Sequence, residues 1–221
     1  MIAQPEIVQE STAPAPESPF AVTFLGNAPL TEVVAYLLDR HHTYTKTSLA
    51  RLPPLAEKVA RVHGERHGHL AEVRDLVNAL RDDLLLHLTK EEHVLFPFIA
   101  TLAEGRTTTF PCGSIAGPIE VMKADHRTTD DILFAIREQA NGFVVPDDAC
   151  GSFRALYDGL RDLEDDLREH MVIEESILFP RALRLAERRL ERSITSIWGF
   201  ASRGTADAVL NRSEASRCTN P

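Results

Sequence analysis

The sequence predicts an all-α protein, an antiparallel four-helix bundle, and three observations support this fold class. Apolar residues recur at helical spacing over four long stretches, which segments containing Pro and Gly separate. No stretch of the sequence shows the sustained alternation of apolar and polar residues that is typical of a half-buried strand. The connections between the four stretches are short or moderate, and such connections favour antiparallel neighbours in one bundle.

The first two helices are predicted from the pattern of their apolar residues. The first begins near Pro29 in "PLTEVVAYLLDRHH", with proline close to a first helical turn, and runs to about Arg66. The second covers about residues 70–103. One stripe of this helix consists of the leucines Leu76, Leu80, Leu84 and Leu88.

The third helix is predicted over about residues 118–139 and the fourth over about 149–189. The segments "EGRTTTFPCGSIAG" and "NGFVVPDD" precede them, and their Pro and Gly residues break the helical pattern. Together the four helices define a bundle over residues 27–190. The leader, residues 1–26, is rich in Pro, Ala, Ser and Glu and too poor in apolar residues to fold alone, so we expect it to be disordered. Residues 191–221 are predicted to form a largely disordered tail.

Composition limits the classes of function. The net charge of −9 argues against a surface built for nucleic acid or for anionic lipid. No apolar run approaches the roughly 20 residues that cross a bilayer, and the first residues lack the basic and apolar regions of a secretory signal. We therefore expect a cytoplasmic protein that binds neither nucleic acid nor membrane. Its three cysteines, Cys112, Cys150 and Cys218, lie far apart without C-x2-C spacing, which argues against a disulfide framework or a thiolate metal site.

The strongest functional signal is a motif that occurs twice. "HLTKEEHVLFP" begins at His87 and "HMVIEESILFP" begins at His170, so both helices carry the frame H-x3-E-E-x2-L-F-P. Residues four apart lie on one face of a helix, so His87 lies beside Glu91 and His170 beside Glu174. One such pair alone favours a hydrogen-bonded core pair. Two copies in the same frame favour a metal site, because a buried carboxylate is costly unless it is paired or bound to a metal.

Two further histidines complete the predicted site. His42 lies 45 residues before His87, and His126 lies 44 residues before His170, so the chain reads as two helical hairpins with one pattern. In the first hairpin the two histidines lie at similar heights above the turn, roughly 36 and 31 Å at about 1.5 Å per residue. The side chains of His42 and His87 can therefore meet in the bundle interior. The heights match less well in the second hairpin, where the geometry permits the same meeting.

The predicted ligand set consists of four imidazoles and two carboxylates. Its members are His42, His87, Glu91, His126, His170 and Glu174. This set is too large for one tetrahedral zinc ion, and calcium or magnesium prefers all-oxygen ligands. Mixed imidazole and carboxylate ligands in a bundle core suit iron or manganese, most naturally two ions that the carboxylates bridge. The six side chains leave positions on two octahedral ions open to an exogenous ligand.

Neighbouring polar residues are expected to lie outside the ligand set. The second acid of each doublet, Glu92 or Glu175, lies about 100° further round its helix and is expected to face solvent. His41 also points about 100° away from its neighbour His42, which favours a supporting or surface role. His63 lies about 30 Å beyond His42 along a straight helix, so we expect it in the turn or at a second site.

These motifs resemble those of hemerythrin-like di-iron proteins, and more narrowly those of the iron–sulfur cluster repair proteins, the repair of iron centres group. The resemblance rests on "RHH", "RVHG", "HLTKEEHVLFP", "VMKADH" and "HMVIEESILFPRAL" and covers about residues 29–183. It implies two iron ions in an oxo- and carboxylate-bridged centre, with the four histidines as terminal ligands and Glu91 and Glu174 as bridges. It also implies that the chain restores iron–sulfur clusters damaged by nitric oxide or peroxide, as an iron donor rather than a classical enzyme.

The expected partners are damaged iron–sulfur proteins, with O2 or NO as ligands of the centre. A di-iron carrier or sensor of O2 or NO is the main alternative function. A redox enzyme would need an electron supply, and the sequence shows no flavin or nicotinamide motif, while a metal-free interaction bundle would hold no iron. Members of the family often carry a small amino-terminal domain with a vicinal cysteine pair. Residues 1–26 contain no cysteine, so steps that need those thiols are not expected of this chain.

Overall fold

The computed structural model describes residues 24–106 and 114–201, with side chains up to residue 192. Within these residues every regular element is helical, and four long helices contain most of them. The predicted fold class, an all-α bundle, is confirmed. No helix in this part of the chain is long and apolar enough to cross a membrane.

Helices α1 and α2 form the first hairpin, and each contains a π-helical segment between two α-helical ones. Helix α1 consists of Leu30–Tyr36, the π segment Leu37–His42 and Thr43–His63. Helix α2 consists of Leu70–Lys90, the π segment Glu91–Leu95 and Phe96–Ala103. A tight turn joins them, so that α1 ends three residues before the predicted boundary at Arg66.

Helices α3 and α4 form the second hairpin. Helix α3 is Ala116–Gln139, and the 3-10 turn Asn141–Phe143 follows it. Gly142 has φ = 64°, a left-handed conformation that favours glycine and lets the chain reverse there. Helix α4 consists of Gly151–Ile173, the π segment Glu174–Leu178 and Phe179–Ala201.

The bundle is held together by apolar side chains from all four helices. Helix α1 packs against α2 and α4, and α2 packs against α3. The fully buried members of this core include Leu52, Leu80, Leu84, Leu133, Phe153, Tyr157, Leu160 and Leu163. Gly159 of α4 allows a close approach to α1, because a Cβ atom there would lie 2.8 Å from Cδ2 of Leu52.

The folded part begins earlier than the predicted boundary at residue 27. Residues 24–27 form a helical turn in which Leu25 is buried. Arg181 of α4 donates to the carbonyl oxygens of Leu25 and Ala28, at 3.0 and 2.6 Å. The composition of the leader does not predict this contact, because the contact needs only one buried side chain and two backbone carbonyl groups. Residues 1–23 lie outside the described residues, and their predicted disorder stays a prediction.

The last helix is longer than the sequence predicts. It continues to Ala201 instead of ending near residue 189, so the first part of the expected disordered tail is helical. The stretch "RALRLAERRLER", residues 181–192, contains neither Gly nor Pro and consists mostly of strong helix formers, so no local signal ends the helix near residue 189. By their contacts, residues Met1–Leu185 and Ala186–Pro221 separate into two units, and the structure describes the second as far as Ala201.

Candidate metal centre

The six predicted ligand side chains meet at one buried point between the four helices. Helix α1 contributes His42 and α3 contributes His126, while α2 and α4 each contribute one histidine and one glutamate of the repeated motif. None of the six residues is more than 3% exposed. The structure therefore brings together all six side chains that the sequence grouped as candidate ligands.

The backbone departs from α-helical geometry where three of the helices reach this cluster. His42 ends the π segment of α1, while Glu91 and Glu174 begin the π segments of α2 and α4. A π turn holds more residues than an α turn and so changes the direction of the side chains that follow it. Such segments are frequent at functional sites. The repeat in the sequence is thus also a repeat in backbone geometry.

The ligand atoms fall into two groups of four, and both groups contain both carboxylates. One group is His42, Glu91, His170 and Glu174, and the other is His87, Glu91, His126 and Glu174. Within each group the ligand atoms lie within 4.8 Å of one another. The arrangement can therefore hold two cations, each beside two imidazoles, with the carboxylates between them.

The polar atoms of the cluster point at one another, but most of them make no hydrogen bond. The distances from Nε2 to a carboxylate oxygen are 3.4 Å for His42–Glu91, 3.3 Å for His87–Glu91, 3.0 Å for His126–Glu174 and 3.0 Å for His170–Glu174. Among the described residues, both oxygens of Glu91 and of Glu174 lack a hydrogen-bond partner. Buried polar atoms are normally paired, so a convergent set of unpaired ones is typical of a site that binds a cation.

The electrostatic balance of the cluster also suits a cation. Burial alone would lower the pKa of His87, but the carboxylates of Glu91 and Glu174 raise it to about 9. Burial alone would raise the pKa of Glu174, but His170 and His126 hold it well below its ordinary value. The carboxylates thus stabilise positive charge beside them, which a metal ion supplies once the imidazoles have lost their protons.

Two carboxylates behind the ligands correct an expectation from the sequence. His42 Nδ1 donates to Oε1 of Glu92 at 2.8 Å, and His126 Nδ1 donates to Oε1 of Glu175 at 2.8 Å. The prediction that these acids face solvent is wrong for Glu92, whose side chain is 19% exposed, and holds only in part for Glu175, at 45%. Lys46 also donates to Glu92. With Nδ1 as donor, each imidazole directs the lone pair of Nε2 into the cluster.

The other two ligand histidines also have polar or aromatic neighbours. His87 Nδ1 lies 3.6 Å from Oδ2 of Asp125. His41 is fully buried, its ring stacks on that of His170 with centroids 5.6 Å apart, and its Nδ1 lies 3.1 Å from Oδ1 of Asp166. His41 therefore packs between His170 and Asp166 in the interior and does not lie on the surface.

The remaining buried histidine lies far from the cluster. His63, at the end of α1, is 4% exposed, and its Nε2 lies 3.1 Å from Sγ of Cys150. This contact joins the end of α1 to the residue that precedes α4. No local pattern predicts it, because the two residues are 87 apart in the sequence. His63 is thus not a ligand of the cluster, as the sequence predicted.

Comparisons with known proteins agree with the geometry. Residues 33–182, which include all six residues of the cluster, match the hemerythrin HHE cation binding domain. The chain is 37% identical over 174 residues to the iron-sulfur cluster repair protein YtfE of Dickeya chrysanthemi, a match that covers 79% of this chain and 73% of that protein. It is 34% identical over 178 residues to the protein of the same name from Cronobacter sakazakii, with 80% and 76% covered. For Escherichia coli O157:H7 the identity is 33% over 179 residues, with 80% and 77% covered.

Proposed function

Because the chain belongs to the hemerythrin family of HHE cation-binding domains, we propose that it is a non-haem di-iron protein that repairs iron–sulfur clusters damaged by nitrosative or oxidative stress. The match confirms the family that the motifs predicted. The observation that carries the proposal is the pair of overlapping ligand groups, each with two imidazoles and both carboxylates. The relatives are named iron-sulfur cluster repair proteins, which supports the role in repair.

Each ion of the proposed pair has its own histidines. His42 and His170 belong to one group and His87 and His126 to the other. Glu91 and Glu174 would contribute to holding both ions, because both groups contain both carboxylates. The donor set of nitrogen and oxygen atoms fits iron, and the unpaired buried oxygens supply the negative charge that two cations need. Bound iron would supply redox and Lewis-acid chemistry at this point.

We further propose that the protein donates iron to its partners, which are damaged iron–sulfur proteins. A site of imidazole and carboxylate ligands lacks the soft thiolates that hold metals most firmly, and ferrous iron stands low in the order of divalent-metal affinities. Both properties suit release to another protein. The proposal includes a cytoplasmic location, and O2 or NO as ligands at the positions that the side chains leave open.

The test is to mix the iron-loaded protein with an iron–sulfur enzyme that nitric oxide has inactivated, without added iron, and to follow the recovery of enzyme activity. We expect recovery with the wild type and none with the double variant Glu91→Ala and Glu174→Ala. That variant should lose both iron ions but keep most of its helicity in circular dichroism, because the carboxylates hold metal and not the helices. Glu138→Ala, at an exposed position of α3, is the control and should repair like the wild type.

Two results would contradict different parts of this proposal. A double variant that still binds two iron ions would show that the ligand assignment is wrong. A wild-type protein that binds two iron ions but never restores the enzyme would exclude repair by this route.

The alternative is a di-iron carrier or sensor of O2 or NO. The two ligand groups have both carboxylates in common, so six side chains cannot fill all the positions on two six-coordinate ions. The open positions favour an exogenous ligand. A stable spectrum with O2 or NO, together with no recovery of the damaged enzyme, would support this alternative over repair.

A further inference from the structure

A second group of reactive side chains lies at the far end of α1 from the metal centre. Cys150 is exposed, and its Sγ lies 3.1 Å from Nε2 of His63. His63 itself is 4% exposed and packs its ring against Phe153, with centroids 5.3 Å apart. Its Nδ1 has no hydrogen-bond partner in the described ranges. The imidazole is therefore fixed by packing, and its one polar contact is with the thiol.

The surroundings of the thiol favour its thiolate form. Cys150 directly precedes α4, where the first N–H groups of the helix give a partial positive charge. Lys58 donates to Oγ of Ser152 at 3.0 Å, two residues after the cysteine. The carboxylate of Asp148 pairs with Arg66 at 3.1 Å and with His67 at 2.9 Å, so its negative charge is compensated away from the thiol.

The neighbouring histidine and acid are paired with each other and not with the thiol. His67 Nε2 lies 2.9 Å from Oδ1 of Asp148, which leaves His63 as the imidazole in contact with sulfur. The hydrogen bond from His63, together with the backbone N–H groups of Phe153 and Ser152, lowers the pKa of Cys150 to about 7. Since the thiol is also exposed, a large fraction of it is an accessible thiolate near neutral pH.

We propose that Cys150 is a nucleophilic thiol, activated by His63, that forms mixed disulfides with low-molecular-weight disulfides of the glutathione type. Geometry carries this inference: a nucleophile in contact with a fixed imidazole, at a helix N-terminus and open to solvent. The proposed site is separate from the metal centre, so the inference does not depend on the proposed function.

The proposed reaction is a simple exchange. The thiol proton of Cys150 passes to solvent, and His63 Nε2–H donates to the thiolate that remains. The thiolate attacks one sulfur of the small disulfide, so that one S–S bond forms to Cys150 and the S–S bond of the reagent breaks. The leaving thiolate takes up a proton, and the oxidant is the small disulfide itself.

The first measurement is the rate of alkylation of Cys150 by iodoacetamide as a function of pH. It uses the full iron-loaded chain with Cys112→Ser and Cys218→Ser, so that Cys150 is the one thiol present. We expect a midpoint near pH 7, where the local contacts place the pKa. In His63→Gln the midpoint should rise by about one pH unit toward 8.5, the ordinary value for cysteine, because the backbone N–H groups of Ser152 and Phe153 still stabilise the thiolate. His67→Gln, which removes the nearby imidazole that contacts Asp148, is the matched control and should keep the midpoint within a few tenths of a pH unit.

The second measurement is the reaction of the same protein with oxidised glutathione at pH 7, followed by mass spectrometry. We expect one glutathione per chain, at a rate about twofold higher than for His63→Gln or more. The variant has a smaller fraction of thiolate, which lowers the rate, but each thiolate is more nucleophilic because its pKa is higher, which partly offsets this loss. Iron content should be the same in Cys150→Ser as in the wild type, which separates this site from the metal centre.

Three results would overturn the proposal. They are a wild-type midpoint near pH 8.5, a midpoint in His63→Gln equal to that of the wild type, and the absence of a mixed disulfide. If His63→Gln loses helicity, the folded wild type is compared with the same chain unfolded in urea. Equal midpoints for folded and unfolded protein would then overturn the proposal in the same way.

Discussion

The orientation of His42 and His126 depends on carboxylates that lie behind their rings. Glu92 and Glu175 accept the Nδ1–H of these two histidines at 2.8 Å, and this contact fixes which ring nitrogen faces the cluster. Partners of this kind hold the ring in place and raise the basicity of the ligand. The second acid of each doublet therefore has a role of its own beside the shared carboxylates.

Glu92→Ala and Glu175→Ala should each lower the affinity for iron by about ten- to a hundredfold, because the ligand histidine loses its orienting partner. The measurement is competition for Fe(II) between the protein and a chelator of known affinity. The conservative variants Glu92→Gln and Glu175→Gln keep an acceptor oxygen and should lose less affinity than the alanine variants. Equal affinity in the alanine variants and the wild type would show that the two acids do not position the ligands.

Glu92 and Glu175 also show which contacts of a side chain can be predicted from the sequence and which cannot. The pairs His87–Glu91 and His170–Glu174 were predictable, because residues four apart share a face of any regular helix. The rule that the next residue points about 100° away holds for an α-helix, and a π segment begins at Glu91. The contact of Glu92 with the ring of His42 on another helix is a tertiary property that no local pattern encodes. The repetition of the second acid in both motifs was the one signal for it.

At the scale of helices, the contact of α1 with α4 depends on a residue without a side chain. Gly159 is buried, and a Cβ atom there would approach Leu52 Cδ2 to 2.8 Å and Arg51 Nη2 to 2.6 Å. Arg51 can move its flexible end aside, but Leu52 is fully buried in the core. A larger residue must therefore push the two helices apart or force Leu52 from its rotamer.

Gly159→Val should lower the free energy of unfolding by about 1–3 kcal/mol, the usual cost of overpacking a core. Urea denaturation followed by circular dichroism gives this quantity. Gly117→Val is the matched control, because a Cβ atom at this exposed position of α3 has nothing within 4 Å, and we expect a change of about 0.5 kcal/mol or less. If both variants lost the same stability, the close approach to Leu52 would not be the cause.

Periodicity predicted the four helices well, because each buries an apolar face over many turns. It did not predict their ends. Helix α4 continues to Ala201, past the predicted end near residue 189, and the turn around Leu25 docks through carbonyl groups that carry no side-chain signal. The end of a helix depends on a few local contacts, whereas its buried face is encoded by many residues at regular spacing.

At the scale of the whole molecule, the bundle combines a well-packed apolar core with a buried polar cluster. The core residues are apolar and pack against one another. The oxygens of Glu91 and Glu174 have no hydrogen-bond partner, so the stability of the cluster depends on bound cations or on protons. A ligand that binds the folded chain and not the unfolded one stabilises the fold by mass action. Metal binding and folding stability should therefore be linked.

Removal of iron should lower the melting temperature by roughly 5–10 °C, relative to protein with free iron at about a hundred times the dissociation constant. This shift corresponds to about 2.7 kcal/mol for a domain of this size. Differential scanning calorimetry of the iron-loaded and chelator-treated protein measures it. The double variant Glu91→Ala and Glu174→Ala should show no shift on chelation, and a shift of equal size there would place the stabilising metal elsewhere.

The composition of the two ligand groups has a consequence for how such a chain could arise. Each group takes two residues from the α1–α2 hairpin and two from the α3–α4 hairpin, so neither half of the chain holds a complete group. If the repeated motif descends from the duplication of one shorter gene, its ancestral product had to associate with a second copy of itself before it could bind metal. The modern chain would then be a fused dimer, whose internal symmetry survives in its chemistry more clearly than in its overall sequence.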